Sequence, residues 1–200
     1  MILSESYLAQ QAEKRNISEN GIKTGQILYE NAELSTKYDS INNKKIREYD
    51  IFLSHSSLDK KLVLTLVDLF NEANYSVYVD WIEDTQLDRS NVNKETAQTL
   101  RGRMNYSKGL AYVATGNSTN SKWCPWELGY FDGKKNSRCC ILPIIESNTF
   151  QGQEYLGLYP YIRYSKISGK NKYDFWVYNQ GTDEYVILKK WLAGSNPYNH

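Results

Sequence analysis

The sequence has little of what metal centres, disulfide frameworks and membrane spans require. It has three cysteines, of which Cys139 and Cys140 are adjacent, and two histidines, His55 and His200. Three cysteines, two of them adjacent, do not make a disulfide framework, and without a Cys-x-x-Cys spacing they do not make a structural zinc site. Two histidines offer little material for a Ser-His-Asp triad. The most apolar run, CCILPII (Cys139–Ile145), is far too short to span a bilayer. We therefore expect a protein without metal and without a membrane anchor.

Neither the charge nor the first residues indicate a polyanionic partner or an export route. The 24 basic and 23 acidic side chains leave a net charge of +1 and a pI near 7.6, so we expect no nucleic-acid partner. Met-Ile-Leu-Ser-Glu lacks the basic region and apolar stretch of a signal peptide. Neither of the standard glycine-rich phosphate motifs occurs. We expect a cytoplasmic protein without a resident cofactor.

The patterning divides the chain into three segments. Residues 1–47 are polar and predict a helical extension, with one helix in SESYLAQQAEKRN capped by Ser4 or Ser6 and a second in ILYENAELSTKY (Ile27–Tyr38). Residues 48–168 form the main domain. Residues 169–200 predict a β-hairpin around Asn179-Gln180-Gly181-Thr182, followed by a short helix, packed on the main domain.

The main domain alternates apolar strands with helical patterns. The predicted strands are YDIFLS (49–54), YSVYVDW (75–81), GLAYVAT (109–115), RCCILPII (138–145) and YPYIRYS (159–165). Strict alternation of strand and helix implies right-handed crossovers, a five-stranded parallel sheet and helices on both faces. The fold class is therefore α/β.

One acidic residue lies in an aromatic cluster where this fold places ligands, at the carboxyl ends of the strands. In SKWCPWELGYFDG, Glu127 follows Trp126 and lies four residues after Trp123. One interpretation is a core helix whose glutamate points into water. The other is a pocket in which the carboxylate faces a flat, cationic substrate. Pro125 fits a helix's first turn, which places Glu127 near the positive end of the helix dipole.

A carboxylate without a partner base suits cleavage of an N-glycosidic bond to a leaving group that is already cationic. Nicotinamide leaves NAD+ without protonation, and the ribose gains oxocarbenium character. An ionised glutamate stabilises that charge or holds the ribose hydroxyls, while aromatic faces stack the leaving ring.

Two stretches resemble those of Toll/interleukin-1 receptor (TIR) domains. YDIFLSHSSLD (Tyr49–Asp59) resembles their opening box, and SKWCPWEL resembles the Trp-x-x-x-Glu stretch around the catalytic glutamate of NAD-cleaving members. ILPI (Ile141–Ile144) is similar to the strand that follows, and the resemblance covers about residues 48–165. It implies a flavodoxin-like sheet, a catalytic role for Glu127 and a substrate-stacking role for Trp123.

The resemblance also implies a biological setting. The chain is similar to the TIR enzymes of Thoeris-type anti-phage defence, which turn NAD+ into an ADP-ribose-derived signal for a separate effector. The loop Glu83–Asn93 corresponds to the segment that gates the pocket and mediates self-association. The alternative is a non-catalytic TIR adaptor that acts by TIR–TIR assembly.

Four further residues are candidates for substrate binding, each with a structural alternative. Ser54 and His55 end the first strand, where a hydroxyl or a ring nitrogen can reach a ribose or phosphate, although a loop histidine is often satisfied by the backbone. Asp80 ends the second strand and can equally cap the following loop. Arg103 is a candidate to neutralise the pyrophosphate.

Overall fold

The computed structural model describes residues 1–17, 36–39, 44–84, 93–134, 138–145 and 154–200. Within these ranges the chain forms nine strands and six α-helices. The strands are β1 (Thr36–Asp39), β2 (Lys44–Arg47), β3 (Tyr49–Ser54), β4 (Val77–Tyr78), β5 (Ser107–Ala114), β6 (Cys139–Pro143), β7 (Tyr161–Lys166), β8 (Tyr173–Tyr178) and β9 (Tyr185–Ile187). The helices are α1 (Glu5–Lys14), α2 (Lys60–Glu72), α3 (Asp80–Glu83), α4 (Lys94–Asn105), α5 (Cys124–Lys134) and α6 (Leu188–Leu192).

Seven of the strands form one sheet in the order β4-β3-β5-β6-β7-β8-β9. The first five strands in that order pair in parallel, and β8 and β9 are added antiparallel. The connection from β3 to β4 crosses the sheet in the opposite direction to that from β5 to β6. Right-handed crossovers therefore put α2 on one face and α5 on the other. The predicted α/β fold, with its five parallel strands, is confirmed.

The sheet is buried because its strands carry continuous apolar runs. Residues 51–53 of β3 and residues 110–114 of β5 are at most 1% exposed, which is typical of parallel strands covered on both faces. Cys139 and Cys140 are buried free thiols on β6, and burial raises the pKa of each. Such thiols are inert, in agreement with a packing role.

The N-terminal helix packs on α2. The hydroxyl of Ser4 accepts the N–H of Tyr7 and caps α1, as predicted, while Leu8 and Ala12 are buried. Arg15 extends the contact, with its Nε 2.5 Å from a carboxylate oxygen of Asp68. The prediction of a second helix over residues 27–38 is wrong for its last three residues, because residues 36–38 lie in β1 and pair with β2. Residues 27–35 are outside the described ranges.

The C-terminal hairpin continues the central sheet and shares its core. The turn between β8 and β9 contains Gly181 at φ +70°, a conformation that favours glycine. Phe175 of β8 stacks on Phe70 of α2 with ring centroids 3.9 Å apart, and the hydroxyl of Tyr75 donates to Asp174 at 2.8 Å. The division into residues 1–47, 48–168 and 169–200 stays a prediction.

Candidate functional site

The carboxyl end of β3 and the first turn of α5 meet at a buried hydrogen bond. The hydroxyl of Ser54 donates to Oε2 of Glu127 at 2.6 Å, and both side chains are 0% exposed. The alternative in which Glu127 points into water is therefore wrong. The sequence brought these two residues to one edge of the sheet, and the structure brings them into contact.

The start of α5 is defined by local sequence. The hydroxyl of Ser121 accepts the N–H groups of Trp123 and Cys124 at 3.3 and 3.2 Å, which satisfies donors that helical bonds leave unpaired. Pro125 follows within the first turn, and the N–H of Glu127 reaches the carbonyl of Trp123 at 2.8 Å. Glu127 thus lies in the first turn, where the helix dipole stabilises a negative charge.

The ring of His55 lies between two hydrogen-bond partners. Its Nε2 lies 2.9 Å from Nε1 of Trp81, and its Nδ1 lies 2.8 Å from the carbonyl oxygen of Leu53. An indole N–H only donates, so Nε2 accepts and Nδ1 carries the proton that is donated to Leu53. His55 is 1% exposed, and it links the end of β3 to the helix that follows β4.

Asp80 lies next to this histidine, in a different element from the one predicted. The second strand is confined to Val77–Tyr78, and Asp80 is the first residue of α3. The Asp80 carboxylate is 3% exposed and 3.4 Å from Nε2 of His55. The structure therefore groups Ser54, His55, Asp80 and Glu127 through the last residue of β3 and the residue that follows it.

Trp123 covers the start of α5 and lines a neighbouring cavity. The side chain is 5% exposed and meets Trp126 edge to face, with ring centroids 5.5 Å apart. The cavity of about 290 Å³ lies between the turn after β3 and the segment before α5, and its lining includes His55, Ser56, Lys122 and Trp123. Glu127 is fully buried and is not one of the residues that line this cavity.

Arg103 lies against a different set of residues, Asp84 and Tyr78. Its guanidinium forms two hydrogen bonds to Asp84, at 2.9 and 2.8 Å, and lies over the ring of Tyr78 at 5.8 Å. The hydrogen bonds to Asp84 raise the pKa of Arg103. A pyrophosphate would have to compete with this carboxylate, and the phosphate-binding role of Arg103 stays a prediction.

A polar network beside the cavity was not predicted from the sequence. The hydroxyl of Thr115 donates to Asp59 at 2.7 Å and the amide of Asn117 donates to the same carboxylate at 2.6 Å. These bonds tie the turn after β3 to the loop after β5, the two segments that form the cavity. Asp59 follows one predicted strand and Thr115 ends another, but nothing local to either residue indicates that they pair.

Two other kinds of site are absent from the described residues. Within the ranges given above, no cluster of three or more His, Cys, Asp or Glu side chains is arranged to bind a metal ion. No helix in those ranges has the length and apolarity to cross a membrane. Of the predicted gating loop, Glu83–Asn93, residues 85–92 are outside the described ranges.

Comparisons with known proteins identify similar sequences. A family model described as "TIR domain" matches residues 51–177. The chain is 47% identical over 162 residues to "Probable 3' cyclic ADP-D-ribose synthase ThsB'" of Bacillus cereus (strain MSX-D12), which covers 80% of this chain and 82% of that protein. It is 37% identical over 104 residues to "Putative cyclic ADP-D-ribose synthase TIR2" of Cytobacillus dafuensis, covering 52% of this chain and 27% of the relative.

Two further similarities are more distant. The chain is 31% identical over 140 residues to "Probable 2' cyclic ADP-D-ribose synthase TcpO" of Methanobrevibacter olleyae, covering 66% of this chain and 37% of the relative. A solved TIR domain, that of the Toll-related receptor TRR-2 from Hydra magnipapillata, is 19% identical with a TM-score of 0.41, covering 54% of this chain and 78% of that one.

Proposed function

Because the chain belongs to the TIR domain family, whose model matches residues 51–177, we propose that it is an enzyme that cleaves NAD+ and cyclises the ADP-ribose. The observation that carries this proposal is the buried carboxylate of Glu127, held in the first turn of α5 beside a cavity lined by Trp123. Three relatives named as cyclic ADP-D-ribose synthases support the same reaction.

In this reaction Glu127 is the group that stabilises positive charge. Nicotinamide leaves as a neutral ring, so the bond breaks without a general acid and the ribose becomes oxocarbenium-like. Within a water-excluded site, an ionised carboxylate stabilises that charge more strongly than in water. Cyclisation follows when a hydroxyl of the same molecule attacks the anomeric carbon in place of water and releases its proton, and exclusion of water by Trp123 favours that outcome. NAD+ is the substrate, and no further cofactor enters the reaction.

We propose the 3′ cyclic isomer as the product. The relative that shares 47% identity and is covered over 82% of its length is named as a probable synthase of that isomer, while the relative at 31% is named for the 2′ isomer. The shape of the closed pocket determines which hydroxyl reaches the anomeric carbon, and the more similar sequence is the better guide to that shape.

The biological role that we propose is signalling in bacterial anti-phage defence. The enzyme acts in the cytoplasm, in agreement with its buried free thiols, and its product is read by a separate effector protein. We also propose that copies associate through their TIR domains. Support comes from the complete burial of Glu127 in the single chain, since side chains that cover the carboxylate have to move before NAD+ reaches it, and contact with a second copy can stabilise that open arrangement.

The proposal is tested by incubating the purified protein with NAD+ and separating the products by chromatography and mass spectrometry against standards of linear, 2′ and 3′ cyclic ADP-ribose. The parent is expected to release nicotinamide and form the 3′ isomer. Glu127→Gln keeps the size and a hydrogen-bond acceptor but removes the charge. An attraction of about 4 kcal/mol, expected for charges about 4 Å apart at an effective dielectric constant of about 20, predicts a loss of about a thousandfold.

The matched control is Glu95→Gln, because Glu95 also lies in the first turn of a helix, α4, but is exposed. This variant is expected to keep the parent rate. If Glu127→Gln cleaves NAD+ as fast as the parent, the catalytic assignment is wrong. If the parent assembles but never cleaves NAD+, the adaptor function replaces the enzyme.

A further inference from the structure

We infer that Ser54 is a positioning residue, whose hydroxyl orients the carboxylate of Glu127 and holds it ionised, and that it does not bind the substrate ribose. The inference rests on the proposed function of Glu127 and assigns Ser54 a role different from the one its sequence position suggests. Its basis is the contact between β3 and α5.

The direction of the hydrogen bond follows from the chemistry of the two groups. An ionised carboxylate only accepts, so the Ser54 hydroxyl donates its single proton to Oε2 of Glu127. The separation of 2.6 Å lies in the short range of hydrogen bonds that an O–H group donates to a charged oxygen. Because that proton is already used, Ser54 can meet a ribose hydroxyl only as an acceptor, and the residue is 0% exposed.

Both partners are fixed by rigid elements. Ser54 is the last residue of β3, and β3 lies between β4 and β5 in the sheet. Within the parallel pairing of β3 and β5, Ser54 is in register with Tyr112. Glu127 lies in the capped first turn of α5. The bond therefore joins two elements whose separation the fold determines, and it selects one orientation of the carboxylate plane.

Burial makes the bond more consequential than a similar bond at the surface. Both side chains are 0% exposed, and burial alone favours the neutral form of a carboxylic acid. A donated hydrogen bond and the start of a helix both favour the ionised form, which the reaction requires. Removing the hydroxyl is expected to leave the carboxylate less well oriented and harder to ionise.

The experiment compares kcat, KM and the pH dependence of kcat for the parent, Ser54→Ala and Ser54→Cys. In Ser54→Ala, kcat is expected to fall about ten- to a hundredfold, the range for a hydrogen bond to a charged group, while KM stays within about twofold. The pH of half-maximal kcat on the acid side is expected to rise by about one unit or more. Ser54→Cys retains a similar shape with a weak donor, and we expect it to behave like Ser54→Ala.

Ser107→Ala is the matched control. Ser107 is also buried on a strand, and its hydroxyl donates to the carbonyl of Arg103 at 2.9 Å. Losing this bond affects folding stability, but kcat and the pH profile are expected to match the parent. Thermal unfolding of each variant shows whether a change in rate exceeds the change in the folded fraction. Where Ser54→Ala does not fold, Ser54→Cys supplies the same measurements.

Three results would overturn the inference. In the first, KM rises while kcat is unchanged, as expected for a ribose-binding hydroxyl. In the second, Ser54→Cys restores both kcat and the pH profile, as expected for a packing role. In the third, the kinetics of Ser54→Ala equal those of the parent. Glu127→Gln in the same assay separates the two ideas, because a fully active Glu127→Gln refutes the proposed function, whereas an inactive one with an unchanged Ser54→Ala refutes only the role of Ser54.

Discussion

Replacing Trp123 by alanine tests whether this side chain is packed as the structure indicates. The indole is 5% exposed and meets Trp126 edge to face with centroids 5.5 Å apart. Truncating a buried tryptophan to alanine costs about 3–5 kcal/mol, of which the aromatic pair contributes about 0.5–1.5 kcal/mol. For a chain of this size, about 2–4 °C of Tm is lost per kcal/mol, so Tm is expected to fall by about 6–20 °C.

The assay is thermal unfolding of the parent, Trp123→Ala and Trp123→Phe, followed by NAD+ cleavage at a temperature where all three are folded. Trp123→Phe keeps a ring against Trp126 and is expected to lose less than half as much Tm as the alanine variant. If Trp123 also stacks the nicotinamide ring, the phenylalanine variant should retain more activity than alanine. A Tm for Trp123→Ala equal to that of the parent would refute the packing, and the cavity lining that depends on it.

Three further predictions concern the hairpin, the buried phenols and assembly. Phe175→Ala removes the ring that stacks on Phe70 at 3.9 Å and is expected to cost about 3–5 kcal/mol in denaturant unfolding, whereas Tyr173→Ala, an exposed position on the same strand, is expected to cost much less. Burial raises the pKa of Tyr49 and Tyr78 above the usual value of about 10, so their contribution to stability is fully present below about pH 10 and decreases progressively as the pH rises above it. Phenolate absorbance from these two residues should rise only with alkaline unfolding, and a rise in the folded state would contradict the burial. Finally, the rate per molecule is expected to increase with protein concentration or a crowding agent, and a constant value over about a hundredfold dilution of a monomer would exclude assembly as the activating step.

Much of the fold could be predicted because its information is local. A parallel strand covered on both faces needs a continuous apolar run, and β3, β5 and β6 each show one bounded by polar residues. The alternation of such runs with helical patterns leaves few possible topologies. The short β4 was predicted too long because aromatic and β-branched residues continue past Tyr78 into the turn that becomes α3.

Part of the candidate site was predictable for the same reason. Pro125 and the cap from Ser121 place Glu127 in the first turn of a helix, and the end of β3 brings Ser54 and His55 to the same edge of the sheet. These placements follow from strand ends and helix starts. Which side chains then touch does not follow from either pattern.

The sequence alone therefore determined the α/β class, the alternation of strands and helices along the chain and the position of one carboxylate at the start of a helix, because each depends on neighbours a few residues apart. Tertiary structure alone decided that Ser54 donates to Glu127, that His55 accepts from Trp81 and that Arg103 pairs with Asp84. Ser54 and Glu127 are 73 residues apart, and their contact depends on how α5 crosses the sheet after β5. A periodic pattern indicates which face of an element is buried, but the partner of a buried polar group is chosen by the packing of distant segments, where each donor must find an acceptor.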